Sequence, residues 1–269
     1  MPPTLQFTET RLSVAEVARL IIASGQATLR DITAGENPFE YSANEAVLVH
    51  GANGMTIEGL QRFGPGYILI KGLVAQQAIF FPLINELAWK VFDAGIEIDA
   101  ICGNVSGGMV PAFALMLYLQ HIWQRDLIYF YARATRKQHG SKEMLVGVEN
   151  NPEIRSGMKV ADFEELVKNG ETTCNAALTI RESGFSCTHA ITILDYDNVT
   201  ANAKRAEIQL TQISLITLPQ LLAVAREEEL WSADAIDDYL SYLKSPDKWA
   251  ARNQLAIIRT LQAKEAQNG

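Results

Sequence analysis

Apolar residues recur at helical spacing through Leu12, Val14, Val17, Ala18, Leu20, Ile21 and Ile22 and stop at Gly25, which predicts an amphipathic helix over 12–24 with a glycine end. Residues 30–45, rich in Gly, Pro, Asn and Asp, predict an irregular stretch. Two short apolar runs, 46–49 and 67–70, predict strands between Gly and Pro turn signals. Helical spacing returns over 76–94 through Ile79, Leu83, Leu87 and Val91, followed by a buried strand over 96–102. From there the chain alternates: a helix over 111–123, a strand over 127–131, a polar loop over 134–143, strands over 144–148 and 159–163, a helix over 172–183 and a strand over 188–194. Thr172 is the expected N-cap of that last helix and Gly184 lies just past its end. A run at 208–215 precedes two acidic helical patterns, 219–229 and 233–243, and a frayed C-terminus. Strands alternating with helices imply right-handed crossovers and an α/β fold with a mainly parallel sheet.

Composition narrows the function classes. Lys and Arg number 23 against 31 Asp and Glu, a net charge of −8 over 269 residues, so the overall field repels polyanions and a nucleic-acid surface is not expected. A small phosphorylated ligand is compatible with that balance. Cys102, Cys174 and Cys187 have no metal-ligand spacing, and an odd number cannot pair fully, which fits a reducing, cytoplasmic setting. No signal peptide pattern opens the chain and no apolar run reaches membrane-spanning length, so no membrane partner is expected.

In an open parallel sheet, ligands bind beyond the carboxyl ends of the strands, and three loops there carry unusual residues. The first, residues 102–108 (Cys-Gly-Asn-Val-Ser-Gly-Gly), lets backbone approach a ligand closely and opens onto a helix start that favours an anion. Its glycine spacing fits neither a dinucleotide fingerprint nor a P-loop, and Asn104 stands where a nucleophile elbow needs its first glycine. A tight strand-to-helix turn is the bland alternative. The second runs from Glu164 and Glu165 through Lys168, Asn169, Gly170, Glu171 and Thr172. Adjacent carboxylates suit vicinal sugar hydroxyls, and the helix start beyond them suits a phosphate, which together describe a ribose 5-phosphate. The alternative is a solvated charged turn. The third holds Arg133, Arg136, Lys137 and His139 before Gly140, cations placed to neutralise a pyrophosphate leaving group. Taken alone it is more often a solvated basic loop.

On these residues the chain resembles the type I phosphoribosyltransferases, and their orotate branch most. The resemblance runs from about residue 67 to 222. Arg133 with Lys137-Gln138-His139-Gly140 is similar to the flexible loop of the orotate enzymes, Glu164-Glu165 through Thr173 to the PRPP-binding signature, residues 104–108 to the pyrophosphate loop, and 213–222 to the end of the family's core. The resemblance implies transfer of ribose 5-phosphate from PRPP to a nucleobase, orotate first, in pyrimidine nucleotide synthesis. It further implies Mg²⁺ carried mainly on PRPP rather than by a metal site of the chain, and a homodimer. Lys137, His139 and Arg133 take the catalytic roles at the pyrophosphate. Glu164 and Glu165 hold the ribose, Lys168 to Thr172 the 5-phosphate, and Asn104, Ser106 and Gly107 the pyrophosphate. Lys168 is the expected counter-charge to Glu171.

The expected organisation is a helix and base-binding hood over 1–66, the transferase core over 67–215 and a helical extension over 216–269. Two other functions remain open. One is a weak or silent relative that binds PRPP or a nucleotide and regulates. The other is a serine hydrolase using Ser106, with His50, His121 or His189 as base.

Overall fold

The computed structural model describes residues 7–41, 63–133 and 144–268. These fall into two compact units. One joins the N-terminal segment through Ser24 to Ile70–Leu221; the other gathers Gly25–Leu69 and Leu222–Gly269.

The first unit is an α/β layer structure. Its sheet contains β5 (Ala100–Asn104), β6 (Ile128–Ala132), β7 (Leu145–Val146), β8 (Lys159–Val167), β9 (Ser186–Asp195) and β10 (Thr211–Thr217). The spatial order is β10-β9-β8-β5-β6-β7, parallel except for β7. The chain leaves β5 toward β6 on one side and later returns to β8 on the other, so the direction of winding reverses between β5 and β8. A crevice opens at such a reversal, beyond the strands' carboxyl ends. Pairing of β5 with β8 stops at Gly103 with Phe163, whereas β8 continues along β9 as far as Val167 with Asp195. The crevice therefore starts level with Glu164.

Helices cover this sheet: α1 (Val14–Ala23), α2 (Gln77–Asp93), α3 (Met109–Trp123), α4 (Glu171–Glu182) and α5 (Val199–Glu207). Ser13 and Glu16 form a capping box at the start of α1, and Val17, Ala18 and Ile21 form its buried face. Arg11 grips the buried Glu86 carboxylate with Nε at 3.0 Å and Nη2 at 2.9 Å. The helix assigned to an N-terminal hood by sequence thus belongs to the core unit, because its apolar face packs against α2 and β10.

In the second unit, β1 (Ala27–Leu29) pairs antiparallel with β4 (Gly66–Ile68), and β2 (Phe39–Glu40) with β3 (Phe63–Gly64). The C-terminus is helical, with α7 (Ala233–Lys244), α8 (Pro246–Arg252) and α9 (Gln254–Asn268) after α6 (Leu218–Glu227), which crosses the division between the units. Fraying was expected there because the last pattern is weak. Burial of Trp249 organises it instead: the indole Nε1 donates to the buried Asp238 at 2.8 Å, and Arg252 holds the other oxygen at 2.5 Å. The Tyr239 ring lies 2.6 Å from where a Cβ of Gly66 would stand, so only glycine fits that position. The unit therefore takes residues from both sides of the core, in place of a separate hood and extension. The predicted strand at 46–49 lies outside the described residues.

Candidate active site

The site is built at the carboxyl ends of β5 and β8. The 159–163 strand extends to Val167, so Glu164 and Glu165 are strand residues rather than the first of a loop. Side chains alternate along a strand, which puts Asp162 and Glu164 on one face, and at the strand end the Glu165 carboxyl reaches that of Glu164. Asn104 ends β5 beside them. Its Nδ2 donates to Glu164 Oε2 at 3.0 Å and to Asp162 Oδ2 at 3.2 Å.

The loop after β5 folds tightly against β8. A Cβ on Gly108 would come within 2.6 Å of the Phe163 carbonyl and 2.9 Å of the Asn104 nitrogen, both immovable backbone. A Cβ on Gly107 would overlap the Glu165 carboxylate. Glycine is thus required at Gly108, where the clash is with backbone, while Gly107 lies close against the movable Glu165 carboxyl. The Val105–Ser106 peptide is cis, and Ser106 is exposed.

Burial and mutual repulsion dominate the electrostatics. The Glu164 carboxyl is pushed up to about 9, first by burial and then by the hydrogen bond and like charge of Glu165, against the smaller opposing effect of Asn104. Asp162 is fully enclosed, and burial raises it well above the usual carboxylate range.

A stability consequence follows for Glu164. Its folded value lies above its unfolded value of 4.5, so between about pH 4.5 and 9 the folded chain binds more protons than the unfolded one. This contribution is complete below that window and disappears as pH rises through it. Glu164→Gln, which is neutral throughout, is expected to flatten the decline. Urea unfolding of both proteins at pH 5, 7 and 9 checks this, and parallel stability curves would refute the buried, protonated assignment.

Beyond β8 the chain turns through Lys168 and Asn169, both exposed, to Gly170, whose φ of 73° is left-handed. Gly170, not Thr172, is the N-cap of α4. Since no side chain caps this end, the first-turn amides of Glu171, Thr172 and Thr173 remain available to an anion. Thr172 instead lines a cleft of about 290 Å³ with Asn104, Val105, Arg133, Met144, Glu171 and Asn175. The counter-charge of Glu171 is Lys204 on α5, at 2.7 Å, rather than Lys168, whose Nζ lies 5.8 Å from the centre of the Tyr196 ring. A turn residue of α5, 33 positions away, could not have been matched to Glu171 from spacing alone. Asn198 ties down this turn by donating to the Lys168 carbonyl.

The fold therefore gathers Asn104, Gly107, Glu164 and Glu165 at the crevice, with Arg133, Glu171 and Thr172 around the adjoining cleft. Lys137 and His139 lie outside the described residues. Asp162 and Asn175 were missed by sequence reasoning; an acidic residue inside the otherwise apolar run 160–163 was the available signal for Asp162. A hydrolase triad does not form on Ser106 among the described residues. His121 stacks on Phe7 at 4.0 Å near the far end of α3, and His189 lies in the first half of β9, away from the carboxyl ends. No helix among the described residues is long and apolar enough to cross a membrane.

No family model matches the chain. An orotate phosphoribosyltransferase of Sinorhizobium fredii is 29% identical over 194 residues, 70% of this chain and 78% of that protein. Another, from Listeria monocytogenes, is 24% identical over 62% of this chain and 75% of its own length. Among solved structures, orotate phosphoribosyltransferase from Aeropyrum pernix aligns with a TM-score of 0.57 and 19% identity, covering 80% of this chain and 99% of that one. Leishmania donovani UMP synthase aligns with a TM-score of 0.62 and 18% identity over 87% of this chain, which spans 42% of that longer protein. In sequence the chain is thus similar to orotate phosphoribosyltransferases, and its α/β fold with a mostly parallel six-stranded sheet is that of the type I phosphoribosyltransferases.

Proposed function

We propose that the chain transfers ribose 5-phosphate from Mg²⁺-PRPP to orotate and releases pyrophosphate. The observation that carries this reading is the Glu164–Glu165 pair beside Asn104 and Gly107, followed a short turn later by the uncapped start of α4. The carboxyl groups accept hydrogen bonds from the ribose hydroxyls, and the amides of residues 171–173 receive the 5-phosphate. A ring nitrogen of the base then bonds to C1 of the ribose as the C1–oxygen bond breaks, the electron pair leaving with pyrophosphate and the nitrogen's proton passing to solvent. Arg133 lines the cleft where that negative charge collects, and Lys137 and His139 complete its neutralisation. The choice of orotate is supported by the names of the similar proteins at 24–29% identity.

A homodimer and a cytoplasmic location belong to the same proposal. Exposed Val110 and Phe113, on a helix with apolar residues on all sides, support self-association. The three free, buried thiols fit a reducing compartment.

One observation favours a regulatory PRPP binder instead: the Glu171 carboxylate stands in the first turn of α4, next to the amides a phosphate would use. Its pairing with Lys204 reduces that opposition. The deciding experiment is pyrophosphate release from Mg²⁺-PRPP with orotate, uracil and purine bases offered in turn. Release dependent on orotate is expected. Saturable PRPP binding without release for any base would establish the regulatory function.

A further inference from the structure

Asp162 lies two residues before Glu164 with none of its surface exposed. Its surroundings are thiols and small apolar groups. Cys102 is its partner on β5, Ala190 its partner on β9, and Cys187 and Cys174 approach from β9 and α4. Its Oδ1 has no hydrogen-bond partner. A carboxyl group so placed is unfavourable for folding, and an apolar side chain of similar volume would be accommodated at lower cost. Its retention calls for another role, and its one side-chain hydrogen bond among the described residues leads to the crevice.

That bond comes from Asn104. The Nδ2 amine donates to both Asp162 and Glu164, and the two contacts together orient the amide. Asn104 is itself buried at the end of β5. Asp162, Asn104 and Glu164 therefore form a short chain running from the interior to the ligand-facing carboxyl.

We propose that Asp162 is a positioning residue that, acting through Asn104, holds the Glu164 side chain in the orientation that meets the ribose hydroxyls of PRPP. The proposal rests on the assignment of Glu164 and Glu165 as the ribose site. Without Asp162 the Asn104 amide loses its inner anchor and turns, and Glu164 loses the donor that sets its rotamer. The carboxyl still reaches the crevice but spends less time in the binding orientation. The effect belongs in substrate affinity, and stability should not decline with it.

The test compares the full-length wild type with Asp162→Leu and Asp162→Asn. For each, thermal unfolding, calorimetric binding of Mg²⁺-PRPP, and kcat and KM for pyrophosphate release are measured. Asp162→Leu is expected to unfold at or above the wild-type temperature while KM for PRPP and its Kd rise about tenfold, the loss of one buried hydrogen bond, with kcat little changed. Asp162→Asn retains an acceptor for Asn104 and is expected to restore both constants. Should the leucine variant fail to fold, Asp162→Ala, which adds no bulk, takes its place. Wild-type PRPP affinity in the apolar variant overturns the proposal, as does an equal defect in the asparagine variant. If the wild type itself does not bind Mg²⁺-PRPP, the ribose-site assignment fails and the positioning role with it. If replacing Glu164 and Glu165 abolishes binding while the Asp162 variants bind normally, the positioning role alone fails.

Discussion

Replacing Glu164 and Glu165 together by alanine is expected to weaken Mg²⁺-PRPP binding by about 10²-fold or more. Two ligand hydroxyls lose partners at once, and a hydrogen bond left unmade at a buried group costs roughly 1–3 kcal/mol. The fold should survive, because these carboxyl groups oppose their own burial: Glu164 is raised to about 9 by desolvation and by its neighbour, and Glu165 Oε2 has no partner. Removing both relieves that repulsion. Calorimetric titration with Mg²⁺-PRPP, alongside an unfolding curve, separates the two effects. Unaltered affinity in a folded double variant would place the ribose site elsewhere on the protein.

Replacing Lys137 or His139 by alanine is expected to lower turnover by about 10²-fold while PRPP binding stays measurable. These side chains are assigned to the departing pyrophosphate, whose charge grows as the C1–oxygen bond breaks, so their contribution is larger in the transition state than in the bound substrate. Arg133, at the start of the same segment, already lines the cleft beside Thr172 and Asn104. The informative comparison is kcat against Kd for PRPP. A fall in kcat with Kd unmoved supports the assignment, whereas unchanged turnover in both variants removes it.

The carboxyl pair stands on its neighbours in the fold: Asn104 at 3.0 Å from Glu164, and Gly107 against Glu165. The lysine and histidine stand on the order of residues in a polar segment that resembles a known loop. A result that supports the first and refutes the second would describe a protein that binds PRPP and does not turn it over.

Several parts of the molecule were legible in the chain. Alternating apolar runs and helical patterns announced a parallel sheet, and the strands predicted at 127–131, 159–163 and 188–194 correspond to β6, β8 and β9. The glycines around Ser106 and the paired glutamates pointed to the two strand ends that meet at the crevice. These features are legible because they depend on local pattern: hydrophobic period, glycine at positions of close approach, and charge at a strand end.

Other parts depend on partners far away in sequence. Helix α5 was not anticipated, since its short pattern is weak; it forms where Arg205 reaches the buried Asp195 at 2.9 Å and Lys204 reaches Glu171. The C-terminal helices α8 and α9 likewise follow an enclosed Trp249–Asp238 contact that no periodicity reveals. Predicted boundaries moved for the same reason: β8 runs four residues past Phe163 because β9 is there to pair with it.

By itself, then, the sequence determined the α/β class, most of the order of strands and helices, and the glycines and acidic residues at the strand ends that meet at the crevice. Each of these is encoded within a few residues of where it acts. Only the tertiary structure decided that the N-terminal helix joins the core, that Lys204 rather than Lys168 answers Glu171, and that a buried Asp162 stands behind Asn104 and Glu164. Such outcomes turn on which side chains are desolvated together, and desolvation is a property of the packed assembly rather than of any segment.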